Sequence, residues 1–264
     1  MYKRQVIDNF LVFKFWAGEQ LAYMMPVGSG DLKAILRELI EDADKEKHNF
    51  CMLGVCSNMR ADLEAILPGQ FTFTENRDYA DYIYLRSDLA TLKGKKFQAK
   101  RNHINRFRNT YPDYEYTPIT PDRIQECLDL EAEWCKVNNC DQQEGTGNER
   151  RALIYALHNF EALGLTGGIL HVNGKIVAFT FGMPINHETF GVHVEKADTN
   201  IDGAYAMINN EFANHIPEQY IYINREEDLG LEGLRKAKLS YQPVTILEKY
   251  MACLKDHPMD IIRW

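Results

Sequence analysis

The sequence predicts an α+β protein built from two mixed-sheet halves in tandem. Residues 10–85 and residues 169–250 each show the same order: a hairpin, a helix, a strand, a helix and a final strand. The second hairpin turns at Asn173 and Gly174, a dipeptide that suits a two-residue turn between strands. One continuous domain fits less well, because a strongly basic helix divides the two halves.

The first half, predicted as residues 1–90, begins with two strands around a tight turn at residues 17–19. Asp31 can cap an amphipathic helix, and Ser57 can cap a second one. Aromatic and branched side chains predict further strands at residues 50–55, 71–73 and 79–85. Because the chain begins almost inside a strand, we expect the elements that would precede it, an initial strand and helices, to be absent.

Residues 91–112 are predicted as a basic connecting helix. Seven Lys and Arg side chains and no carboxylate lie between residues 93 and 111, although the chain has a net charge of −8. Helical spacing brings Arg101 and Arg108 into the arc of an apolar stripe. One interpretation is a solvated helix whose arginines pair with carboxylates. The other is a clamp in which Lys100, Arg101 and Arg108 bind a phosphate or carboxylate of a substrate.

The second half, residues 113–264, is predicted to open with a short strand and two helices that the first half lacks. Pro121 begins the first of these helices, and Gly164 ends the second. The hairpin follows, and then a third strand at residues 189–196. The remaining predicted elements alternate helix and strand, at residues 203–215, 220–224, 232–239 and 244–250.

The composition is that of an ordinary globular chain of 264 residues, 45% hydrophobic and 26% charged. Its negative balance argues against a general nucleic-acid coat, so RNA binding would have to use the basic stretch alone. No window approaches the roughly 20 apolar residues of a membrane span. Asp8, Asn9 and Lys14 interrupt the apolar start, which argues against a signal peptide and predicts a cytoplasmic protein.

The six cysteines show no C-x-x-C spacing, and without an export signal we expect reduced thiols rather than a disulfide framework. His48 near Cys51 and Cys56 is the one hint of a metal site. Burial of the two thiols as small hydrophobic side chains explains this pattern better. We therefore expect no metal.

Two stretches carry a family resemblance: K-R-N-H-I-N-R-F at residues 100–107 and I-N-R-E-E-D-L-G-L-E-G-L-R-K-A-K-L-S-Y-Q-P at residues 223–243. With the element order, they make the chain similar to the GNAT acyltransferases and to a bacterial family related to the C-terminal domain of phosphatidylglycerol lysyltransferase. The resemblance covers essentially the whole chain and implies two GNAT-like domains in tandem. It implies, as donor substrate, an acyl thioester of coenzyme A or an aminoacyl-tRNA.

In the branch that uses thioesters, the resemblance implies that the coenzyme's pyrophosphate binds at the start of the helix after the fourth strand, a natural anion site. The matching residues here are 194–207, where Gly203 would permit a close cofactor approach. Asp198 and Asp202 place negative charge there, and Asp202 can itself cap the helix. We therefore rank an aminoacyl donor above coenzyme A.

The candidate catalytic residues lie on the strand at 189–196. Period-two alternation predicts Gly191, His193 and Glu195 on one face. His193 suits the removal of a proton from an acceptor amine or hydroxyl, and Glu195 suits either the orientation of His193 or the binding of an amine. The competing interpretation is an exposed polar strand face without a catalytic role.

Two further residues are predicted to bind substrate. Asn224 ends a strand, where its amide can hydrogen-bond a ligand, and Asp228 closes an acidic run, residues 226–228, that suits an ammonium group. Acidic residues also occur near helix starts because of the helix dipole, so a structural role fits this run as well.

These observations lead to one main hypothesis: a transferase that moves an acyl or aminoacyl group onto an amine or hydroxyl acceptor held between the two halves. Its partners would be a small anionic or amine-bearing substrate and, as donor, charged tRNA. The alternatives are a non-catalytic module that binds a phosphorylated or carboxylated ligand, and an RNA-binding protein that uses residues 93–108.

Overall fold

The computed structural model describes residues 3–138 and 144–255; in the helix at 144–158, side chains are described from Glu149 onward. The chain forms two compact units. Of the described residues, the first contains 3–81, 227–231 and 247–255, and the second contains 82–138, 144–226 and 232–246. Each unit holds one mixed sheet with helices, which confirms the predicted α+β class.

The first unit contains a seven-stranded sheet. Its strands are β1 (Lys3–Ile7), β2 (Phe10–Ala17), β3 (Gln20–Met24), β4 (Val27–Gly28), β5 (Cys51–Val55), β6 (Phe71–Glu75) and β14 (Tyr250–Leu254). The order across the sheet is β1-β2-β3-β5-β14-β6, with β4 paired to β2. Only the β3–β5 pair is parallel among the pairs of this sheet that the structure describes.

Two helices belong to the first unit, α1 (Leu32–Lys45) and α2 (Ser57–Ile66). The carboxylate of Asp31 accepts a hydrogen bond from the Ala34 N–H at 3.1 Å, which confirms the predicted cap of α1. The apolar face of α1 buries Ile35, Leu36 and Leu39 in the core that includes the buried side chains of β3 and β5. The amphipathic pattern of this helix therefore accounts for its position.

The second unit also contains a seven-stranded sheet, in the order β13-β7-β12-β11-β10-β9-β8. The strands are β7 (Asp81–Leu85), β8 (Glu115–Pro118), β9 (Thr166–Val172), β10 (Lys175–Pro184), β11 (Thr189–Ala197), β12 (Tyr222–Asn224) and β13 (Thr245–Leu247). The helices are α3 (Arg86–Thr91), α4 (Gln98–Thr110), α5 (Ile124–Asn138), α6 (Glu144–His158), α7 (Ala204–His215) and α8 (Glu232–Leu239). β9, β10 and β11 form an antiparallel triplet around the Asn173-Gly174 turn.

The basic helix α4 belongs to the second unit. Its buried residues Ile104 and Phe107 join a core cluster with Ala204 and Met207 of α7. The predicted apolar stripe is thus the packing face of this helix. Because that stripe joins a core of the second unit, the helix is an integral part of the unit rather than a separate connector.

The division into units differs from the linear one expected from the sequence, residues 1–90, 91–112 and 113–264. β7 ends the first half of the chain but pairs with β12 in the second sheet. β14 ends the second half but lies between β5 and β6 in the first sheet. Alternating side chains identify a strand, whereas its neighbours in the sheet depend on hydrogen bonds between distant segments.

The strand β1 precedes the first strand expected from the sequence. It forms an antiparallel hairpin with β2, in which Lys3 faces Lys14 and Ile7 faces Phe10. Four of its five residues are exposed. An exposed strand of this kind has no apolar alternation to reveal it, which explains why the sequence pattern missed it.

The expectation of reduced cysteines is wrong for one pair, because Cys51 and Cys253 form a disulfide. The two residues face each other in the β5–β14 ladder, with Cα atoms 4.1 Å apart. They are 202 positions apart in the chain, so their pairing follows from the return of β14 to the first sheet. Cys56, Cys127 and Cys135 are free thiols.

Within residues 3–138 and 144–255, every helix is too short or too polar to cross a lipid bilayer.

Candidate functional site

The centre of the candidate site is the place where β11 and β12 part. The two parallel strands pair only from Thr189 to Gly191 on β11, opposite Tyr222 to Asn224 on β12. β12 ends at Asn224, but β11 continues to Ala197. Among the described residues, the rest of this β11 edge has no strand beside it, so the side chains that follow β12 can reach it.

A β-bulge lies at this point of β11. Phe181 of β10 pairs with Val194 and Gly182 pairs with Val192, so His193 between them has no partner residue on β10. A bulge reverses the alternation of side chains beyond it. The predicted common face of Gly191, His193 and Glu195 is therefore wrong for Glu195, whereas Gly191 and His193 stay together: a Cβ atom at Gly191 would lie 3.4 Å from Cε1 of His193.

The side-chain contacts agree with this reversal. Val192, before the bulge, packs in the same cluster as Phe212 of α7. Glu195, after the bulge, also faces α7, because its Oε2 accepts a hydrogen bond from Nδ2 of Asn209 at 3.1 Å. Strict alternation would have put these two side chains on opposite faces of the strand.

His193 and Glu226 form a close pair. Nδ1 of His193 lies 2.6 Å from Oε1 of Glu226, and the two side chains are 32% and 39% exposed. An ionised carboxylate can only accept, so this contact puts the imidazole proton on Nδ1. Nε2 makes no hydrogen bond to any residue in the described ranges and is left as an acceptor.

The backbone around Glu226 holds this carboxylate in position. Glu226 has a φ of +56°, a left-handed conformation that is uncommon for residues other than glycine. Oδ1 of Asn224 accepts a hydrogen bond from the Glu226 N–H at 2.7 Å, and Nζ of Lys238 donates to the Glu226 carbonyl at 3.1 Å. Strained conformations of this kind persist where surrounding contacts fix them, and they cluster at functional sites.

Arg225 and Glu195 form a second, more deeply buried pair. Nη2 of Arg225 lies 2.8 Å from Oε1 of Glu195, with side-chain exposures of 11% and 13%. Burial is the largest single influence and lowers the pKa of Arg225, but Glu195, Tyr84 and Tyr241 together raise that pKa above its ordinary value. Nη1 of Arg225 and Oδ1 of Asn209 are buried without a hydrogen-bond partner among the described residues.

Lys100 lies beside this pair. Its Nζ is 3.8 Å from the ring centroid of Tyr241, and Cζ of Arg225 is 4.8 Å from the same centroid. Burial, reinforced by the charge of Arg225 and opposed by that of Glu195, lowers the pKa of Lys100 to about 8. No carboxylate in the described part of the chain forms a salt bridge with this ammonium group.

Arg101 binds neighbouring oxygen atoms of its own chain instead of standing free for the predicted anion clamp. Its Nη1 donates to the carbonyls of Leu92 and Gly94, the latter at 2.7 Å, and its Nη2 donates to Gln98 at 2.6 Å. Leu92 is the left-handed residue that ends α3. Because the fork of Arg101 already binds three neutral oxygens, its role is to close the end of α3.

Arg108 also has a structural partner. Its Nη2 lies 3.5 Å from Oε1 of Glu211 on α7, and its side chain is 47% exposed. The hydroxyl of Tyr114 donates to the same carboxylate at 2.9 Å. Thus only Lys100, of the three basic residues proposed as a clamp, is brought beside Glu195.

Gly203 lies in close contact with α4. A Cβ atom at this position would lie 2.9 Å from the carbonyl oxygen of His103 and 3.1 Å from Cβ of Phe107, both on α4. The preceding residue, Asp202, pairs with Arg106 at 2.5 Å. The backbone approach that glycine permits here is therefore made by α4, at the position where the resemblance implied a pyrophosphate.

Asn224 and Asp228 have local structural partners. Asn224 is buried and accepts from the N–H of Glu226, as described above. Asp228 lies in the first unit, fully buried, where its Oδ1 accepts from the Gly230 N–H at 2.9 Å and its Oδ2 is 3.6 Å from Arg77. Asp228 therefore belongs to the first unit, whereas His193 belongs to the second.

No group of three or more potential metal ligands occurs among the described residues. In the sequence, His48 near Cys51 and Cys56 is the one hint of a metal site. In the structure, the ring of His48 packs edge-on against Trp16, with ring centroids 4.8 Å apart. Neither the pairing of Glu226 with His193 nor the role of Arg225 is predicted by the sequence. The I-N-R-E-E-D stretch was the available signal, but nothing local links it to a strand 30 residues earlier.

The fold and this arrangement define a class of protein: two GNAT-like mixed-sheet domains in one chain. A tandem GNAT protein from the clavulanic acid biosynthesis pathway has the same fold, with a TM-score of 0.51 at 10% identity over 94% of this chain and 80% of that one. The family is more specific. Residues 1–253 match the family of phosphatidylglycerol lysyltransferase C-terminal domains, and the chain belongs to it.

Three further solved structures share the fold of this chain. A conserved protein of unknown function from Bacteroides thetaiotaomicron is 93% identical, with a TM-score of 0.93 over 96% of this chain and 86% of that one. The C-terminal domain of a putative lysylphosphatidylglycerol synthetase from Agrobacterium fabrum is 14% identical, with a TM-score of 0.74 and coverages of 97% and 84%. L-PGS from Bacillus licheniformis is 18% identical, with a TM-score of 0.67 and coverages of 98% and 86%.

A sequence relative is an uncharacterised protein from Mycoplasmoides gallisepticum, 26% identical over 175 residues. The match covers 65% of this chain and 55% of that protein. The chain therefore spans about half the length of this curated relative.

Proposed function

We propose that the second unit transfers an acyl or aminoacyl group onto an amine or hydroxyl acceptor. The observation that carries the proposal is the His193–Glu226 pair, whose Nε2 is left as an acceptor at the parting of β11 and β12. This arrangement suits a general base, because a carboxylate that holds Nδ1–H keeps Nε2 ready for a proton. Membership in the phosphatidylglycerol lysyltransferase C-terminal family supports a transferase rather than a hydrolase.

In the proposed reaction, Nε2 of His193 takes the proton of the acceptor as its nitrogen or oxygen attacks the carbonyl carbon of the donor. The bond from that carbon to the leaving oxygen or sulfur then breaks, and the leaving group takes up a proton. Glu226 stabilises the imidazolium that forms between these steps. The β11 edge beyond Gly191, which has no strand beside it among the described residues, is a source of N–H donors for the developing oxyanion.

The packing of Gly203 supports an aminoacyl-tRNA over coenzyme A as the donor. A pyrophosphate at the start of α7 would need the backbone space that α4 fills, and it would lie beside the carboxylate of Asp202. The proposed acceptor remains a small molecule with an amine or hydroxyl. Lys100, together with Arg225 and Glu195, is the proposed substrate-binding group.

The test is product formation by the full chain. The protein is incubated with charged tRNA or acyl thioesters and a panel of amine and hydroxyl acceptors, and products are identified by mass spectrometry. We expect His193→Gln to lower turnover by on the order of 10²-fold or more. His187→Gln is the matched control, because His187 is an 87% exposed histidine of the same unit. Equal turnover in His193→Gln and the control would refute the proposed base.

A non-catalytic binding module is the second candidate, supported by the buried Nη1 of Arg225 and Oδ1 of Asn209, which lack partners among the described residues. It predicts ligand binding without turnover for any donor. Detection of transfer that depends on His193 would exclude it.

A further inference from the structure

Among the described strands, β1 lies at one end of the first unit's sheet. A two-residue turn at residues 8–9, both with positive φ, joins it to β2, so Ile7 and Phe10 exchange hydrogen bonds across the hairpin. Hydrogen-bonded and non-hydrogen-bonded pairs alternate along an antiparallel ladder. The N–H and C=O groups of Arg4 and Val6 therefore point outward, where no strand lies beside them within the described part of the chain.

The open edge of β1 is exposed and positively charged. Val6 is 73% exposed, Lys3 and Arg4 are exposed, and the strand contains no carboxylate. Because successive side chains point to opposite faces of a strand, Lys3 and Arg4 place one cation on each face. Neither forms an ion pair with a residue in the described ranges. Such an edge opposes pairing with a basic strand and favours an acidic one.

A cavity of about 80 Å³ lies between β1 and α1. Its lining includes the buried side chains of Val12, Tyr23 and Leu39, and Lys3 and Gln5 line it on the side of the open edge. A strand added beside β1 would place alternate side chains next to Lys3 and Gln5, on the face of this cavity. In strand addition, main-chain hydrogen bonds supply affinity, and pockets for alternate side chains supply specificity. The edge and the cavity together supply both parts.

We propose that the β1 edge and this cavity bind an extended acidic segment of another protein, which pairs antiparallel to β1 as an additional strand. In this register, the residues opposite Arg4 and Lys3 are acidic and consecutive, and the residue opposite Val6 is apolar. A second copy of this chain fits the edge less well. Pairing of β1 with itself would bring four cations and no carboxylate from residues 3–7 into one ladder.

The test is fluorescence anisotropy of the full chain with the labelled peptide T-V-T-E-E-T, whose valine pairs with Val6 and whose first glutamate pairs with Arg4. We expect saturable binding, and at least tenfold weaker binding of T-V-T-K-K-T. Methylation of the backbone nitrogen of the first glutamate, which points at β1, should weaken binding at least tenfold. The same methylation of the preceding threonine, whose N–H points away, should change it less than threefold. Equal affinities of the two methylated peptides would overturn the proposed pairing.

Val6→Pro tests the same hydrogen bonds in the protein. It removes an N–H that points outward and leaves the ladder between β1 and β2 intact, a position at which edge strands accept proline. Binding should weaken at least tenfold. Val6→Thr is the matched control, because it keeps the N–H, and it should bind within about threefold of the natural protein. If Val6→Pro fails to fold, the methylated peptides still decide the matter.

Charge reversal tests the choice of partner. The double variant Lys3→Glu with Arg4→Glu should exchange the preference between the acidic and the basic peptide. Lys45→Glu with Lys47→Glu is the control, because both lysines are exposed in the same unit and the net charge changes equally. The proposal is overturned if the acidic peptide does not bind or if the double variant keeps the natural preference. It is also overturned if sedimentation velocity shows a dimer that Val6→Pro dissociates, since a second copy would then be the occupant.

Discussion

Nδ1 of His193 and Oε1 of Glu226 lie 2.6 Å apart although 33 positions separate them in the chain. The bulge of β11 directs the side chain of His193 away from the strand. The left-handed backbone conformation of Glu226 brings the Glu226 carboxylate to the imidazole. Two irregularities, one on each side of the opening between β11 and β12, therefore make one pair. A regular strand and a regular extended segment would have directed both side chains elsewhere.

Removal of the Glu226 carboxylate should impair turnover while leaving the fold intact. In Glu226→Ala the imidazole loses the acceptor that holds its proton on Nδ1, so we expect a fall in kcat of on the order of 10²-fold. Glu188→Ala is the control, because Glu188 lies 3.4 Å from the exposed His187 in a comparable surface pair. Steady-state kinetics of both variants decide the matter, and equal kcat values would contradict a role for Glu226.

Arg101 should matter for stability and not for turnover. Arg101→Met removes three hydrogen bonds that close the end of α3, and we expect a loss of about 1–3 kcal/mol in the free energy of unfolding. Arg106→Met, which breaks an exposed pair with Asp202, should cost about 0–1 kcal/mol. Urea unfolding measures both. A lower kcat in a fully folded Arg101→Met protein would restore the predicted anion clamp.

A side chain at position 203 should destabilise the protein. In Gly203→Ala the φ of +85° costs about 1–2 kcal/mol, and the contact of the new Cβ with the His103 carbonyl at 2.9 Å adds to it. Gly164→Ala is the control, because Gly164 has a φ of +64° and open space around the added Cβ. The difference between the two variants in urea unfolding isolates the helix contact. Equal losses would show that α4 moves aside freely.

The disulfide should stabilise the first unit under oxidising conditions. Cys51→Ser should lower the free energy of unfolding by about 2–5 kcal/mol, because the bond closes a loop of 202 residues. Addition of dithiothreitol should destabilise the natural protein to a similar extent and leave Cys51→Ser unchanged. Cys56→Ser, which replaces a free thiol, serves as the control. An unfolding curve of the natural protein that ignores dithiothreitol would show that the two thiols are not joined.

Lys100 should make stability depend on pH in the alkaline range. Its pKa in the folded protein is about 8 against an ordinary value of 10.5, so between these values the unfolded chain binds more protons. Stability should therefore rise with pH from about 8 toward 10.5, relative to Lys100→Met. Urea unfolding of both proteins, without phosphate or carboxylate in the buffer, measures this difference. A flat difference across that window would mean that Lys100 titrates normally.

Much of the local structure could be predicted because its signals are local. The Asp31 cap, the amphipathic faces of α1 and α4 and the Asn173-Gly174 turn depend on residues within a few positions of one another. Strand β1 shows the limit of such signals. Its side chains are mostly exposed, so no burial pattern records its pairing with β2.

The candidate site could be predicted only in part for the same reason. The chemistry of His193 on a strand predicts a site residue, but the bulge that changes its surroundings comes from a mismatch with β10. The charge and helical position of Arg101 predict an anion site, yet its three acceptors lie in the turn before the helix and on the first residue of the helix. The sequence shows that a side chain is basic, but it does not show which oxygen atoms that side chain will bind in the folded protein.

The sequence by itself determined the α+β class, most helices and strands, the family and the presence of a basic helix, because periodicity, caps and motifs are written in neighbouring residues. Only the tertiary structure decided that β14 returns to the first sheet, that Cys253 meets Cys51 and that Glu226 meets His193. Each of these depends on contacts between segments far apart in the chain. Such contacts form only when the chain folds, so no local pattern encodes them.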